Sequence, residues 1–471
     1  MAPIYLFEDS HFDHLYPLTL SRPACLLPCG TMTLLARLQN ILGPALTGLF
    51  VRPGLAEAIK RQVTLPVNPS ISAREGVILL NARWLMLPAE FPTAAGGAGA
   101  GGKGVADPLE AYFAAGRTSE QGGGGVAGLV ANAIAWIYLT PEQAEQVDFS
   151  QLHLPKTLEA LLPMVERRAV KATLIQRPWD LLNQQAAAFL ADWPRYGTAQ
   201  LGKVAEGVVQ LGREQIHLGQ NVRLSPLAVL DATHGPIVLE GSSDPAAATE
   251  VQAHAVITGP CYIGPGCVIR AHADIRGDCH LGPQTRVGGE VVGSIFLGFS
   301  SKQHYGFVGQ SIVGQWANLG AGTTTSNLKN TYGTVRMPLN GREESTGRQF
   351  VGSVIADHAK LGIGTYLSTG SVVGFASHVT VSRAPKFVPS FAWVTSEGPG
   401  TGGAARPAAY HIARIDFDKA VALAQTVMSR RNVTFTPADH ELFVRIAGEY
   451  AAREAYDWDE NIPRSTPPES P

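Results

Sequence analysis

Three short stretches hold the residues best suited to chemistry. They are Ser301-Lys302-Gln303-His304-Tyr305-Gly306-Phe307-Val308-Gly309-Gln310, Ala317-Asn318-Leu319-Gly320-Ala321-Gly322-Thr323 and Ser326-Asn327-Leu328-Lys329-Asn330. An imidazole can accept a proton near neutral pH, which makes His304 a candidate general base. Lys302 places a cation two residues away, and Asn318 and Asn327 carry amides that both donate and accept hydrogen bonds. A second group stands near the start. Glu8, Asp9 and Asp13 are hard oxygen ligands of the kind that hold Mg2+, and Arg22 follows as a cation suited to phosphate. Plainer readings stand beside these. A histidine can end a strand or bond a carbonyl, asparagines can form turns or a ladder inside a repeat, and the carboxylates can be surface residues or caps.

The elements that must position these residues announce themselves by period. Val251, Ile257, Ile263, Ile269, Ile275, Leu281 and Val287 stand six apart, and Ile355, Leu361, Leu367, Val373 and Val379 repeat the spacing. Neither the helical period near 3.6 nor the strand period of 2 yields a strict six. Four residues after each ladder position the side chain is nearly always small, as at Ala255, Cys261, Cys267, Ala273 and Cys279, and Gly is frequent one residue after it. This is the hexapeptide signature of a parallel β-helix, whose corners need small residues and whose interior takes the aliphatic ladder. The rod is expected over residues 205–390, interrupted by a polar projecting loop from Asn330 to Gln349.

Residues 1–195 read as α/β. Buried strands are expected at Ile4–Phe7, Leu46–Val51 and Gly76–Leu80, and helices at Thr31–Leu42, Thr157–Arg167 and Trp179–Trp193. The Gly/Ala-rich residues 94–128 read as a mobile insertion. Beyond the rod, Asp416–Arg430 and Pro437–Tyr456 give a short helical appendage over 410–457.

Composition narrows the function. The chain has 471 residues with 45% hydrophobic content, 16% charged content and a net charge of −2, and it shows no basic stripe, so a nucleic-acid polymer is not an expected partner. No membrane-spanning run and no signal-peptide pattern is evident, which points to the cytoplasm. Of the five cysteines, Cys261, Cys267 and Cys279 take the small corner position, and Cys25 and Cys29 lack a second pair with zinc-ligand spacing.

The three stretches, together with Phe350-Val351-Gly352-Ser353, resemble the acetyltransferase half of the bifunctional N-acetylglucosamine-1-phosphate uridyltransferase/glucosamine-1-phosphate acetyltransferase over about 285–380. That family reads Ser-Lys-x-x-His, Gly-Asp, Asn-Ile-Gly-Ala-Gly-Thr and Asn-Tyr-Asp-Gly. The resemblance implies that His304 takes a proton from a sugar amine as the amine attacks acetyl-CoA, and that Lys302, Asn318, Asn327 and Ser353 contact substrate or donor. It also implies a left-handed rod and a homotrimer. The chain departs from the pattern at Ser301-Lys302-Gln303-His304, where one residue and not two separates the lysine from the histidine, and at Phe307, Gly309-Gln310 and Leu328-Lys329-Asn330. Val292 and Gly293 stand where the family has its paired phosphate lysines, leaving Arg270, Arg276, Arg286, Arg336, Arg342 or Arg348 to hold a sugar phosphate instead.

The stretch Leu15-Tyr16-Pro17-Leu18-Thr19-Leu20-Ser21-Arg22-Pro23-Ala24-Cys25-Leu26-Leu27-Pro28 resembles the opening of sugar-phosphate nucleotidyltransferases. The family's Gly-rich phosphate loop is here Glu8-Asp9-Ser10-His11-Phe12-Asp13-His14, without a Gly, and the lysine of its Pro-Lys pair is Ala24. Two carboxylates at a phosphate site repel unless a metal intervenes, so the resemblance implies Mg2+ at Asp9 and Asp13, with Arg22 as the replacement cation. Over residues 1–390 the chain resembles a divergent bacterial group of sugar nucleotidyltransferases related to the bifunctional enzyme. The expectation is a sugar-phosphate transferase. Acetyl transfer would occur on the rod, and nucleotidyl transfer from a nucleoside triphosphate, active or vestigial, in front. Two alternatives stand: a nucleotidyltransferase whose β-helix only assembles a trimer, and a non-catalytic sugar-nucleotide-binding scaffold.

Overall fold

The computed structural model describes residues 2–71, 76–87, 124–396 and 410–449. The chain divides into two compact units, the first comprising Met1–Leu15 and Ser21–Leu181, the second Tyr16–Leu20 and Leu182–Pro471. The boundary falls inside the helix Pro178–Asp192.

The first unit is α/β. Its six-stranded sheet has the order Leu46–Phe50, Ile4–Phe7, Val77–Asn81, Ala133–Leu139, Gly125–Val130, Val165–Ala169. Ile4–Phe7 pairs in parallel with both neighbours, and all four of its residues are buried, the continuous apolar run that a central parallel strand requires. Helix Leu34–Leu42 starts later than the sequence suggests because Thr33 is its N-cap, its hydroxyl accepting from the Ala36 amide at 3.1 Å.

Two local readings are corrected here. The helix expected over Thr157–Arg167 is Pro155–Leu161 only; Val165–Ala169 is a strand, paired in parallel with Gly125–Leu129. That pairing also corrects the reach of the Gly-rich insertion. Its last residues, 125–128, belong to the sheet, where Gly128 lets the Trp136 ring lie across the strand. Residues 94–123 lie outside the described residues.

The second unit carries the rod. Its strands stack into parallel sheets of six and nine strands and a third of eleven. Val251 stacks on Ile269 and Ile269 on Val287, Ile257 on Ile275, and Ile263 on Leu281. Successive ladder residues therefore visit three faces in turn, and each face is revisited after eighteen residues. The arrangement fits a left-handed parallel β-helix. Every ladder side chain is buried, each worth about 1.5–3 kcal/mol against exposure. Cys261, Cys267 and Cys279 are fully buried at the corners, and burial raises all three thiol pKa values.

After Val287 the six-residue count slips. Ile275 stacks on Val291 and Leu281's partner is Phe296, while Val287 is followed on its face by Lys302. The segment Asn330–Gln349 interrupts the rod as expected, but it is not a polar loop. Arg336–Leu339 and Arg342–Ser345 form an antiparallel hairpin, with Val335, Met337 and Leu339 buried. The appendage is likewise not wholly helical, because Tyr410–Arg414 adds an antiparallel strand to the eleven-stranded sheet beside Ala392–Ser396. Helices Phe417–Ser429 and Pro437–Glu449 follow, and the expected continuation to Tyr456 lies outside the described residues. Among the described residues no helix is long and apolar enough to cross a membrane.

Candidate functional site

His304 lies in the corner after the strand Ser301–Lys302, and its side chain is exposed. Its ring makes no hydrogen bond to a described residue, so it is open to a substrate. Its backbone is not free. The Lys302 amine donates to the carbonyl of His304 at 2.5 Å and to that of Gly288 at 2.9 Å. Lys302 itself is 1% exposed and stands in the aliphatic ladder above Val287. Burial pushes its amine down to about 8. The expected contact between Lys302 and substrate is therefore not what this geometry offers. The amine points into the rod and fixes the corner that carries His304.

Asn318 is exposed on the eleven-stranded face, in register with Ser301 below and Lys360 above. Asn327 lies at the next corner round the coil, where its amide donates to the side-chain oxygen of Gln310 and its carbonyl accepts from the Val351 amide at 2.9 Å. Gln310, the residue that replaces the family's acid, thus holds Asn327. Ser353 is behind this corner, 1% exposed, its amide donating to Ser311 Oγ at 2.9 Å while its own hydroxyl has no partner. The structure separates the four positions. His304 and Asn327 sit at opposite ends of the strand Phe307–Gly309, Asn318 faces outward on the neighbouring sheet, and Ser353 is interior.

Phe307 links the two ends. A Cβ at Gly309 would lie 2.4 Å from Phe307 Cζ and 2.8 Å from Asn327 Nδ2, so the absent side chain makes room for that ring beside the Asn327 amide. Above the strand, Thr324, Tyr366 and Arg383 align across successive coils. Tyr366 and Arg383, with Ser326, Lys329 and Ser368, border an open groove of about 600 Å³, beginning at the residue next to Asn327. Tyr366 and Arg383 were not singled out in the sequence. Their signal was the coil count, which stacks Tyr366 on Thr324.

Four of the six arginines weighed for phosphate are committed elsewhere. Arg270 bonds Gln303, Arg276 pairs with Asp274 and Glu290, Arg336 pairs with Glu343, and Arg348 bonds Asn183.

In the first unit the carboxylates are spoken for. Asp9 is 2% exposed, and both of its oxygens bind Arg83, through Nε at 2.9 Å and Nη2 at 2.5 Å. Asn81 Nδ2 adds a third bond at 3.0 Å. Burial would raise the Asp9 pKa, but Arg83, with His11 and Asn81, outweighs it and holds the carboxyl well below the usual range. Glu8 pairs with Arg52, whose guanidinium lies 4.2 Å above the Phe12 ring. Burial pushes the Glu8 carboxyl up against the pull of Arg52. Asp13 is half-buried, 3.9 Å from His14. The repulsion expected between Glu8 and Asp9 is thus relieved by two buried guanidinium groups, Arg52 on Glu8 and Arg83 on Asp9. Among the described residues no three His, Cys, Asp or Glu side chains are grouped to hold a metal ion. Arg22 is 4% exposed, one of its guanidinium nitrogens 3.3 Å from Ser21 Oγ.

The chain is similar in part to several known proteins. A bifunctional sugar-1-phosphate nucleotidylyltransferase/acetyltransferase of Sulfurisphaera tokodaii is 32% identical over 85 residues, 18% of this chain and 21% of that protein. The bifunctional protein GlmU of Methanococcus vannielii is 36% identical over 85 residues, 18% of this chain and 20% of that one. The match thus spans about a fifth of the length of these relatives. Among solved structures, a UDP-N-acetylglucosamine acyltransferase of Francisella novicida is 15% identical, with a TM-score of 0.27, covering 51% of this chain and 74% of that one. The N-acyltransferase AntD of Bacillus cereus is 10% identical, with a TM-score of 0.17, covering 49% and 90%. Over residues 4–198, the stretch holding the Asp9–Arg83 and Glu8–Arg52 pairs, the chain matches the family described as sugar nucleotidyl transferase.

Proposed function

We propose that the rod transfers an acyl group from an acyl-CoA such as acetyl-CoA to an amino-sugar phosphate, with His304 as general base. The observation that carries this reading is the pinned corner: an exposed imidazole on a backbone fixed by the buried Lys302 amine. In the reaction the amine nitrogen attacks the thioester carbonyl carbon and its proton passes to the His304 imidazole. The carbon–sulfur bond then breaks, and the departing thiolate takes up a proton. The groove bordered by Asn327's neighbours offers hydroxyls for a sugar and the cations Lys329 and Arg383 for its phosphate. Asn318, on the adjoining face, is placed for the donor. The chain works in the cytoplasm as a homotrimer in this reading.

The first unit binds a sugar nucleotide or its precursor, consistent with the family matched over residues 4–198. Glu8 and Asp9 are neutralised by Arg52 and Arg83, so neither carboxylate is free to anchor Mg2+. That favours a binding role over catalysis of nucleotidyl transfer in this unit.

The test is thiol release from acetyl-CoA in the presence of amino-sugar 1-phosphates, read separately from pyrophosphate release. His304→Ala is expected to lose about 10²–10⁴-fold in rate with folding intact. Turnover surviving within about threefold of wild type, far short of that catalytic range, removes His304 from the mechanism and leaves the rod an assembly element.

A further inference from the structure

Arg431 lies in the link between the two C-terminal helices and reaches back to the rod. Its guanidinium donates to the Gln284 carbonyl at 3.0 Å and to Ser301 Oγ at 3.2 Å. Ser301 stands directly above Arg286 and below Asn318 on the outer side of the eleven-stranded face. Two guanidinium groups are thus brought to the same patch. Among the described residues neither forms an ion pair. The nearest acid of the column, Glu250, lies two coils below Arg286 and is taken by Arg223. Burial, then the neighbouring charge of Arg286, lowers the Arg431 pKa to about 10. Like charges held together without a counter-ion destabilise a fold unless something anionic completes them.

We propose that Arg286 and Arg431 form the seat for the phosphate groups of the acyl donor, with the helical appendage contributing one of the two cations. The inference rests on the acyl-transfer reading and deepens it. The seat opens at Ser301, three residues before His304 on the same coil, so the backbone separation is at most about 10 Å. Asn318 is exposed one coil above Ser301, its amide free for the polar arm of the donor. Two planar forks suit phosphate oxygens in a way that a single surface cation does not. The appendage is held there by apolar contact as well. Phe443 packs against His358 and Phe375 with ring centroids 5.2 and 4.9 Å apart.

The experiment is calorimetric titration of the full chain with coenzyme A, adenosine 3′,5′-bisphosphate and pantetheine. Wild type is expected to bind the first two and to bind pantetheine more weakly. R286Q and R431Q should each weaken the two phosphorylated ligands about tenfold, a loss of about 1.4 kcal/mol, and leave pantetheine unchanged. R286Q carries the decision, since the Arg286 side chain makes no hydrogen bond that the fold would lose. Equal affinity of wild type for coenzyme A and pantetheine, or bisphosphate binding unaltered in R286Q, overturns the seat. Thiol release separates this from the catalytic reading. An intact seat with no thiol release defeats the base, whereas thiol release without phosphate dependence defeats the seat.

Discussion

The Lys302 amine, buried in the aliphatic ladder, donates to the carbonyl of His304 two residues away. A lysine in a ladder position costs desolvation, and here two carbonyls accept its protons. What this secures is the direction of the corner from which the exposed imidazole projects. Lys302→Met keeps the volume and leaves both carbonyls unmatched, so stability should fall by about 1–3 kcal/mol. kcat should fall more than KM rises, because the base moves and the substrate groove does not. The pH dependence follows by sign. The folded-state pKa, about 8, is below the unfolded lysine value of about 10.4. Between the two the unfolded chain binds more protons, and stability rises with pH. Lys360, also pushed down to about 8 by burial, acts in the same window. Urea midpoints at pH 7 and 9.5 should therefore show a shallower rise in Lys302→Met than in wild type, and an equal rise would place the Lys302 amine elsewhere.

Asp9→Asn should be among the most damaging changes in the first unit. It strips the counter-charge from Arg83, which is 1% exposed, and breaking such a pair costs about 3–5 kcal/mol. The Asp9 pKa is held below its unfolded value, so its contribution is present above about pH 4 and is lost as pH falls toward the folded value. Glu8 runs the other way. Its raised pKa makes its contribution greatest below the unfolded value, to be lost as pH rises through the folded one. Acid unfolding of wild type should be steeper than that of the variant. Millimolar Mg2+ should leave the melting temperature of ligand-free wild type unchanged; a rise removed by Asp9→Asn would restore the metal site.

The rod was legible because its signal is redundant: Val251, Ile257 and Ile263 each repeat eighteen residues on, at Ile269, Ile275 and Leu281. The slip after Val287 was not, since a ladder position filled by Lys302 breaks the very pattern that would reveal it. His304 and Asn327 were singled out by motif; the first is exposed, and the second is partly buried with its amide held by Gln310. The same motif misdirected Lys302, whose long apolar stem lets it fill a core position while its amine finds carbonyls. Val165–Ala169 carries Glu166, Arg167 and Arg168, a composition that fits a helix locally. Only its pairing with a strand forty residues earlier makes it extended, and non-local pairing leaves no local trace. Asp9 and Arg83 lie seventy-four residues apart, which hid the guanidinium that neutralises this carboxylate.

The appendage should be tied to the rod chiefly through Phe443, which is 2% exposed and meets Phe375, Phe391 and Phe435 edge-on. Phe443→Ala should cost the docking of helix Pro437–Glu449 about 3–5 kcal/mol. Limited proteolysis should then cut near residues 430–436 well before the rod unfolds, and coenzyme A affinity should fall as Arg431 leaves Ser301. A variant as protease-resistant as wild type would mean that Arg431 and the Tyr410–Arg414 strand suffice to hold the appendage.

Gly309→Ala tests the link between the two ends of the candidate site. The new methyl would sit 2.4 Å from Phe307 Cζ and 2.8 Å from Asn327 Nδ2. Both are the far ends of side chains, so the backbone ladder to Val292 can survive and the melting temperature should shift by only a few degrees. What must move is the ring lying between His304's strand and Asn327. Displacement of the Asn327 amide by a fraction of an ångström or more should raise KM for the amino-sugar phosphate about tenfold or more, because catalytic geometry tolerates little misplacement. KM for the acyl donor, seated on the neighbouring face at Ser301 and Asn318, should change little. Steady-state kinetics with each substrate varied in turn resolves the two effects. Equal rises in both constants would mean that acceptor and donor share the Phe307 side of the rod, and an unchanged acceptor KM would remove Asn327 and the groove beside it from the site.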